Sequence, residues 1–156
     1  MHEQFELLPG EGVVMPRDAG VLRFGMSERE AQWVVAALCD VRETWVCGAR
    51  WAFGAVLHDI GLLVCGAIEG PLRGRAESIL FERLGVRPER PSGVPVVLDG
   101  VDLFGYPGEE VAEALGASVV PGVRLDRGTG RRDGVRRAPG YLRGVSLSAW
   151  ASGGLR

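Results

Sequence analysis

The side chains able to move a proton, attack a carbon or hold a metal are few in this 156-residue chain: two histidines, three cysteines and 20 carboxylates. His58 is the histidine far from a chain end, and Asp59 follows it directly. A histidine beside a carboxylate is a minimal set for general acid–base work. A small-molecule or metal-dependent enzyme would therefore rest on His58, with Asp59 or Glu110 supplying the acid. The same dipeptide also reads as a solvated turn between the apolar runs Arg50–Leu57 and Leu62–Ile68. His2 stands too near the start to be held firmly. Cys39, Cys47, Cys65 and His58 would make four zinc ligands, but they lack the Cys-x₂₋₄-Cys clasp of structural sites. An apolar residue precedes each cysteine (Leu38, Val46, Val64), which suits free thiols acting as small core hydrophobes. Glu109 and Glu113 are spaced by one helical turn and could present paired carboxylates. With no histidine beside them they read as a solvated helix face. No metal is expected.

Positive charge comes from 18 arginines and no lysine. That excludes a Schiff-base lysine, a Ser–Lys pair and the lysine of a phosphate-binding P-loop. Gly-x-Gly-x-x-Gly is missing, as is a Gly-x-Ser-x-Gly nucleophile elbow. No cofactor is expected. The arginines are unevenly spread. Segment 124–143 holds seven arginines and two aspartates, a net of +5, so the remainder carries −7 of the total −2. Arg127, Arg131, Arg132, Arg136 and Arg137 are the candidate partner-binding residues, because arginine forks hold carboxylates and phosphates. Three uses compete: a solvated loop, a contact for an acidic protein patch, and a nucleic-acid contact. Aromatic residues for base stacking do not interleave with the arginines, which disfavours the last.

These residues need a scaffold, and the length suits one domain over 1–156. No apolar run approaches the roughly 18 residues of a membrane span. The first residues lack the basic and apolar regions of a signal peptide, so a cytoplasmic location is expected. Val21–Phe24 reads as a short strand. Ser27 and Glu30 make a capping box that opens a helix running to about Cys39. Ala31, Val34, Val35 and Leu38 give it one apolar face. Glu43–Cys47, Arg50–Leu57 and Leu62–Ile68 follow as an antiparallel meander. The last two are almost continuously apolar and should be central. Arg75–Leu84 reads as a short helix closed by Gly85. Val94–Leu98 and Val101–Phe104 flank an Asp99-Gly100 turn. Gly108–Leu115 is a second main helix, and Ala117–Val120, Gly122–Leu125 and Tyr141–Ala151 follow as extended segments, the last an edge or half-buried strand. The fold class is α+β: an antiparallel sheet with two main helices. The first helix should pack through Val34, Val35 and Leu38 on a sheet containing Phe53, Val56 and Leu63.

The chain also matches itself at an offset of 80. Gly20-Val21-Leu22-Arg23-Phe24-Gly25-Met26-Ser27 aligns with Gly100-Val101-Asp102-Leu103-Phe104-Gly105-Tyr106-Pro107, and Glu30 falls on Glu110. Two similar halves, 13–85 and 94–156, are expected. This strand–Phe-Gly–helix unit resembles that of small bacterial α+β binding proteins. One group is the β-lactamase inhibitory protein type, whose Phe-Gly-Met-Thr-like junction Phe24-Gly25-Met26-Ser27 matches. Another is the small cytoplasmic immunity and uncharacterised proteins of actinobacteria. The resemblance implies a binding scaffold. The expected function is a non-enzymatic cytoplasmic binding protein of immunity type that blocks a protein toxin.

Overall fold

The computed structural model describes residues 3–85, 90–116, 120–127 and 140–149. The first three strands are β1 (Phe5–Leu8), β2 (Gly12–Val14) and β3 (Val21–Arg23). Helix α1 (Glu28–Ala36) leads into β4 (Val41–Thr44), β5 (Ala52–Leu57), β6 (Ile60–Gly66) and β7 (Ala76–Arg83). The chain continues through β8 (Val96–Leu98), β9 (Val101–Asp102), α2 (Gly108–Leu115), β10 (Val123–Asp126) and β11 (Gly144–Ser148). The class is α+β. A five-stranded sheet has the order β3-β2-β1-β8-β9, and a six-stranded sheet the order β10-β11-β7-β6-β5-β4. Every neighbouring pair is antiparallel except β1 with β8.

Local chemistry explains most boundaries. Ser27 Oγ accepts from Glu30 N, and Glu30 Oε2 accepts from Ser27 N, which closes the capping box of α1. Helix α2 starts behind Pro107 and stops at Gly116. Its missing side-chain cap is offset by Glu109 and Glu110 in the first turn, where carboxylates favour the helix dipole. Asp99 and Gly100 both have positive φ, as a two-residue hairpin between β8 and β9 requires. His58 likewise takes φ 53° in the β5–β6 turn.

Both sheets turn one face inward. Phe53, Leu62, Val64, Ile79, Phe81, Val145 and Leu147 from the large sheet share a buried cluster with Phe5, Leu7, Val13, Leu22, Val96 and Leu98 from the small one. The Phe5 and Phe81 rings meet edge to face at 5.0 Å across that junction. Helix α1 adds Ala31 and Val35 to the cluster, with Val34 and Leu38 at its margin.

Four expectations need correction. Residues 75–84 are strand β7, where Ile79 and Phe81 point inward and Leu80 and Glu82 outward. The Ile-Leu-Phe triplet fits a helix face locally, but β6 and β11 bind both edges of this segment and settle it as a strand. From the sequence no strand is expected before Val21, but Phe5–Leu8 and Gly12–Val14 form the β1–β2 hairpin, whose strands are too short for periodicity to reveal. Val56 and Leu63 do not lie under α1; they face the opposite side of the sheet from Phe53. β11 is interior, between β10 and β7. Ala117–Val120 and the end of Tyr141–Ala151 fall partly outside the described residues.

Candidate binding face

Strand pairing places the outward residues of the large sheet in rows. One row runs Arg124, Ser146, Leu80, Leu63, Gly54, Arg42 across all six strands. The next runs Asp126, Gly144, Glu82, Gly61, Val56, with Asp40 two residues before Arg42. A third holds Ser148, Ser78, Cys65, Ala52 and Thr44. No helix or second sheet among the described residues packs over these rows. Val56 is 56% exposed, Leu84 is exposed, and Leu63 and Leu80 are half-buried.

A groove of about 860 Å³ runs along this face, lined by Val56, Leu63, Leu80 and Leu84 with Asp40, Arg42 and Glu82 at its flanks. Gly54 and Gly61 make its floor. Gly54 pairs with Leu63, which therefore stands beside a gap on the next strand; Gly61 pairs with Val56 and is buried with the Leu84 side chain against it. Burying a Val or Leu side chain fully is worth about 1.5–3 kcal/mol. Four such residues left partly open hold several kcal/mol that folding does not collect.

The sequence-derived candidates are scattered relative to this groove. His58 is exposed at the hairpin tip. Asp59 turns away to an ion pair: its Oδ2 lies 3.2 Å from Arg83 Nη2, and its Oδ1 accepts from Ser92 Oγ at 2.7 Å. That carboxylate is committed to Arg83 and Ser92 and does not orient His58. Glu109, Glu110 and Glu113 are exposed on α2. No group of three metal-binding side chains occurs among the described residues.

The cysteines are free, and none is fully buried: Cys47 is exposed, Cys39 and Cys65 half-buried. Cys39 packs at the margin of the core, whereas Cys47 and Cys65 depart from their reading as core hydrophobes. Burial, then the charge of Asp40, pushes the Cys39 thiol above its ordinary value. Burial also raises the Cys65 thiol, with a Ser78 hydrogen bond opposing it. Neither is an activated nucleophile. Arg124 and Arg127 are exposed at the β10 edge of the large sheet. Arg131, Arg132, Arg136 and Arg137 lie outside the described residues, so the partner-binding reading of the basic segment rests on the sequence. Trp51 stacks on Phe53 and donates to Gly74 O at 3.0 Å, whereas Trp33 and Trp45 are 75% and 81% exposed. Trp150 is outside the described residues.

Sequence reasoning missed the groove because β5 and β6 carry apolar residues on both faces. Such strands usually mean a sheet covered on both sides. A two-residue period would have separated Phe53 from Val56, and the unmatched apolar set was the available signal. Searches of family models, curated proteins and solved structures return no match. No helix is long and apolar enough to cross a membrane among the described residues.

Proposed function

We propose that this chain is a non-enzymatic binding protein that seats a protein partner on the open face of its six-stranded sheet, serving as an immunity-type inhibitor of a protein toxin. The groove over Gly54 and Gly61 carries this reading. It offers an apolar floor and charged flanks, the arrangement of an interface core with a polar rim. Large exposed apolar patches on soluble domains mark partner surfaces. Trp33 and Trp45 are exposed as well, and tryptophan is among the residue types most enriched at binding hot spots. Arg124 and Arg127 add exposed arginines at β10, where an acidic rim on the partner would complement them. A cytoplasmic location fits the half-buried free thiols, which an oxidising compartment would put at risk.

The tandem organisation, 13–85 and 94–156, belongs to the same reading. The residue before each helix makes an isolated antiparallel bridge, Ser27 with Arg75 and Pro107 with Tyr141. The strands that follow those bridges, β7 and β11, pair antiparallel with each other. These correspondences support two related halves meeting between β11 and β7 of the large sheet.

The test is affinity capture from host lysate with the wild type and with Gly54→Phe, which fills the groove. A protein retained by the wild type and lost with Gly54→Phe supports the docking face. If that protein arrests growth when expressed alone and this chain relieves the arrest, the inhibitor role follows. Equal capture by both forms, or capture by neither, removes the reading.

A further inference from the structure

We propose that, in the absence of another partner, the open face closes on the same face of a second copy of this chain. The inference rests on the reading of that face as a docking surface, and names one occupant. A two-fold interface must be self-complementary: each feature has to meet its counterpart on the same patch. The two central rows satisfy this. On β5, Gly54 is a gap and Val56 a projection; on β6, Leu63 is a projection, while Gly61 is buried with the Leu84 side chain against it. A two-fold axis crossing the strands between those rows exchanges the rows. It sets Val56 of one copy over Gly54 of the other, and Leu63 over the Leu84 side chain beside Gly61. Projections then enter gaps at two points and apolar side chains meet at two more.

Charge selects this axis over its rival. Crossing the strands, the axis lays Arg42 of one copy against Asp40 of the other, twice. It also brings the Arg124 side of each β10 to the Asp126 side of its counterpart. An axis along the strands between β5 and β6 would match gaps and projections equally well. It would, however, lay Asp40 against Glu82, a like-charge contact, and Arg42 against Leu80. The summed charge of the rows is small, with Arg42 and Arg124 set against Asp40, Glu82 and Asp126. A nearly balanced, alternating face suits its own copy better than a strongly charged partner. The one cost in the favoured pairing is Glu82, which lies over Leu80.

Six strands at about 4.8 Å spacing make a face roughly 25 Å wide. That is the footprint of a modest interface, at or below about 800 Å² per partner. Association should therefore be reversible, and a tighter heterologous partner would displace the copy.

Sedimentation velocity on the full chain, from about 5 to about 500 µM, tests this. The expected result is a concentration-dependent dimer. Asp40→Arg and Arg42→Asp should each weaken it by about tenfold or more. The double variant, which exchanges the two charges, should restore it. Gly54→Phe should abolish it, and Glu82→Gln should strengthen it. Because Asp40 and Arg42 are surface residues, the charge variants keep the test valid if Gly54→Phe fails to fold. A monomer at every concentration overturns the inference. So does a dimer indifferent to Gly54→Phe, or one in which the double charge exchange fails to rescue. A monomer that still captures a protein in a Gly54-dependent way sinks the self-pairing alone and leaves the docking face standing.

Discussion

Arg83 shows how a single charged residue is used in this fold. Its side chain is 7% exposed, yet Nε and Nη1 have no hydrogen-bond partner among the described residues. Among the described residues Nη2 is the engaged nitrogen, near Asp59 and donating to Arg90 O at 2.8 Å. Asp59 reaches on to Ser92, whose Oγ also accepts from Val94 N. The network ties residues 90–94 to the β5–β6 hairpin. Removing only the carboxylate strands a buried guanidinium, which is costlier than removing the pair. Asp59 is about a third exposed, so solvent softens the effect. Asp59→Ala should cost about 2–3 kcal/mol in urea unfolding. Arg83→Met, which deletes two unsatisfied donors, should cost less than Asp59→Ala; a larger loss would mean the guanidinium is better satisfied than its geometry indicates.

Two carboxylates present a second residue-scale case. Gln32 Nε2 donates to both Glu28 and Glu43 at 3.3 Å, holding them together. Partial burial, then the Glu43 charge, raises the Glu28 carboxyl above its ordinary value. A raised carboxyl binds its proton more tightly folded than unfolded. Its contribution therefore disfavours the fold as pH rises through that range. Glu43→Gln should lower the Glu28 titration midpoint toward the ordinary value, read by NMR. An unchanged midpoint would assign the shift to burial alone.

At the scale of elements, stability follows from how closely strands and rings approach. Trp51 lies over Gly66, at the register shift between β6 and β7. A Cβ at Gly66 would overlap the indole, which cannot retreat because it stacks on Phe53 and donates to Gly74 O. Gly66→Ala should therefore lower the melting temperature and red-shift the tryptophan emission as Trp51 is displaced. Ser27→Ala, by contrast, should cost only about 1 kcal/mol, the usual worth of an N-cap.

These elements also show what local sequence could reveal. The capping box, the Asp99-Gly100 turn and the ends of α2 were legible because neighbouring residues alone decide them. β7 was not, since its identity depends on β6 and β11, far away in the chain. The parallel contact of β1 with β8 has the same character. The outer groove lay within reach: Val56 is an odd number of residues from Phe53, so alternation alone separates their faces.

For the molecule as a whole, the question is what the open face costs and what it is for. Glycine within a strand weakens it, through entropy and lost packing, by up to about 1 kcal/mol. Gly54 sits in β5 with ordinary φ, and a Cβ there would find Leu62 O at 3.4 Å, a normal contact. Nothing in the fold requires glycine at this position. Gly54→Val should leave urea stability unchanged or raise it by about 0.5–1 kcal/mol. The same substitution puts a branched side chain on the groove floor and removes the gap that another side chain would enter. Partner capture and self-association should both fall. A position where the more stable residue is the less functional one is the signature of a surface kept for binding. If Gly54→Val destabilises the fold while binding persists, the glycine serves the sheet and the groove is incidental. If stability rises and binding is lost, the gap at Gly54 is there for a partner.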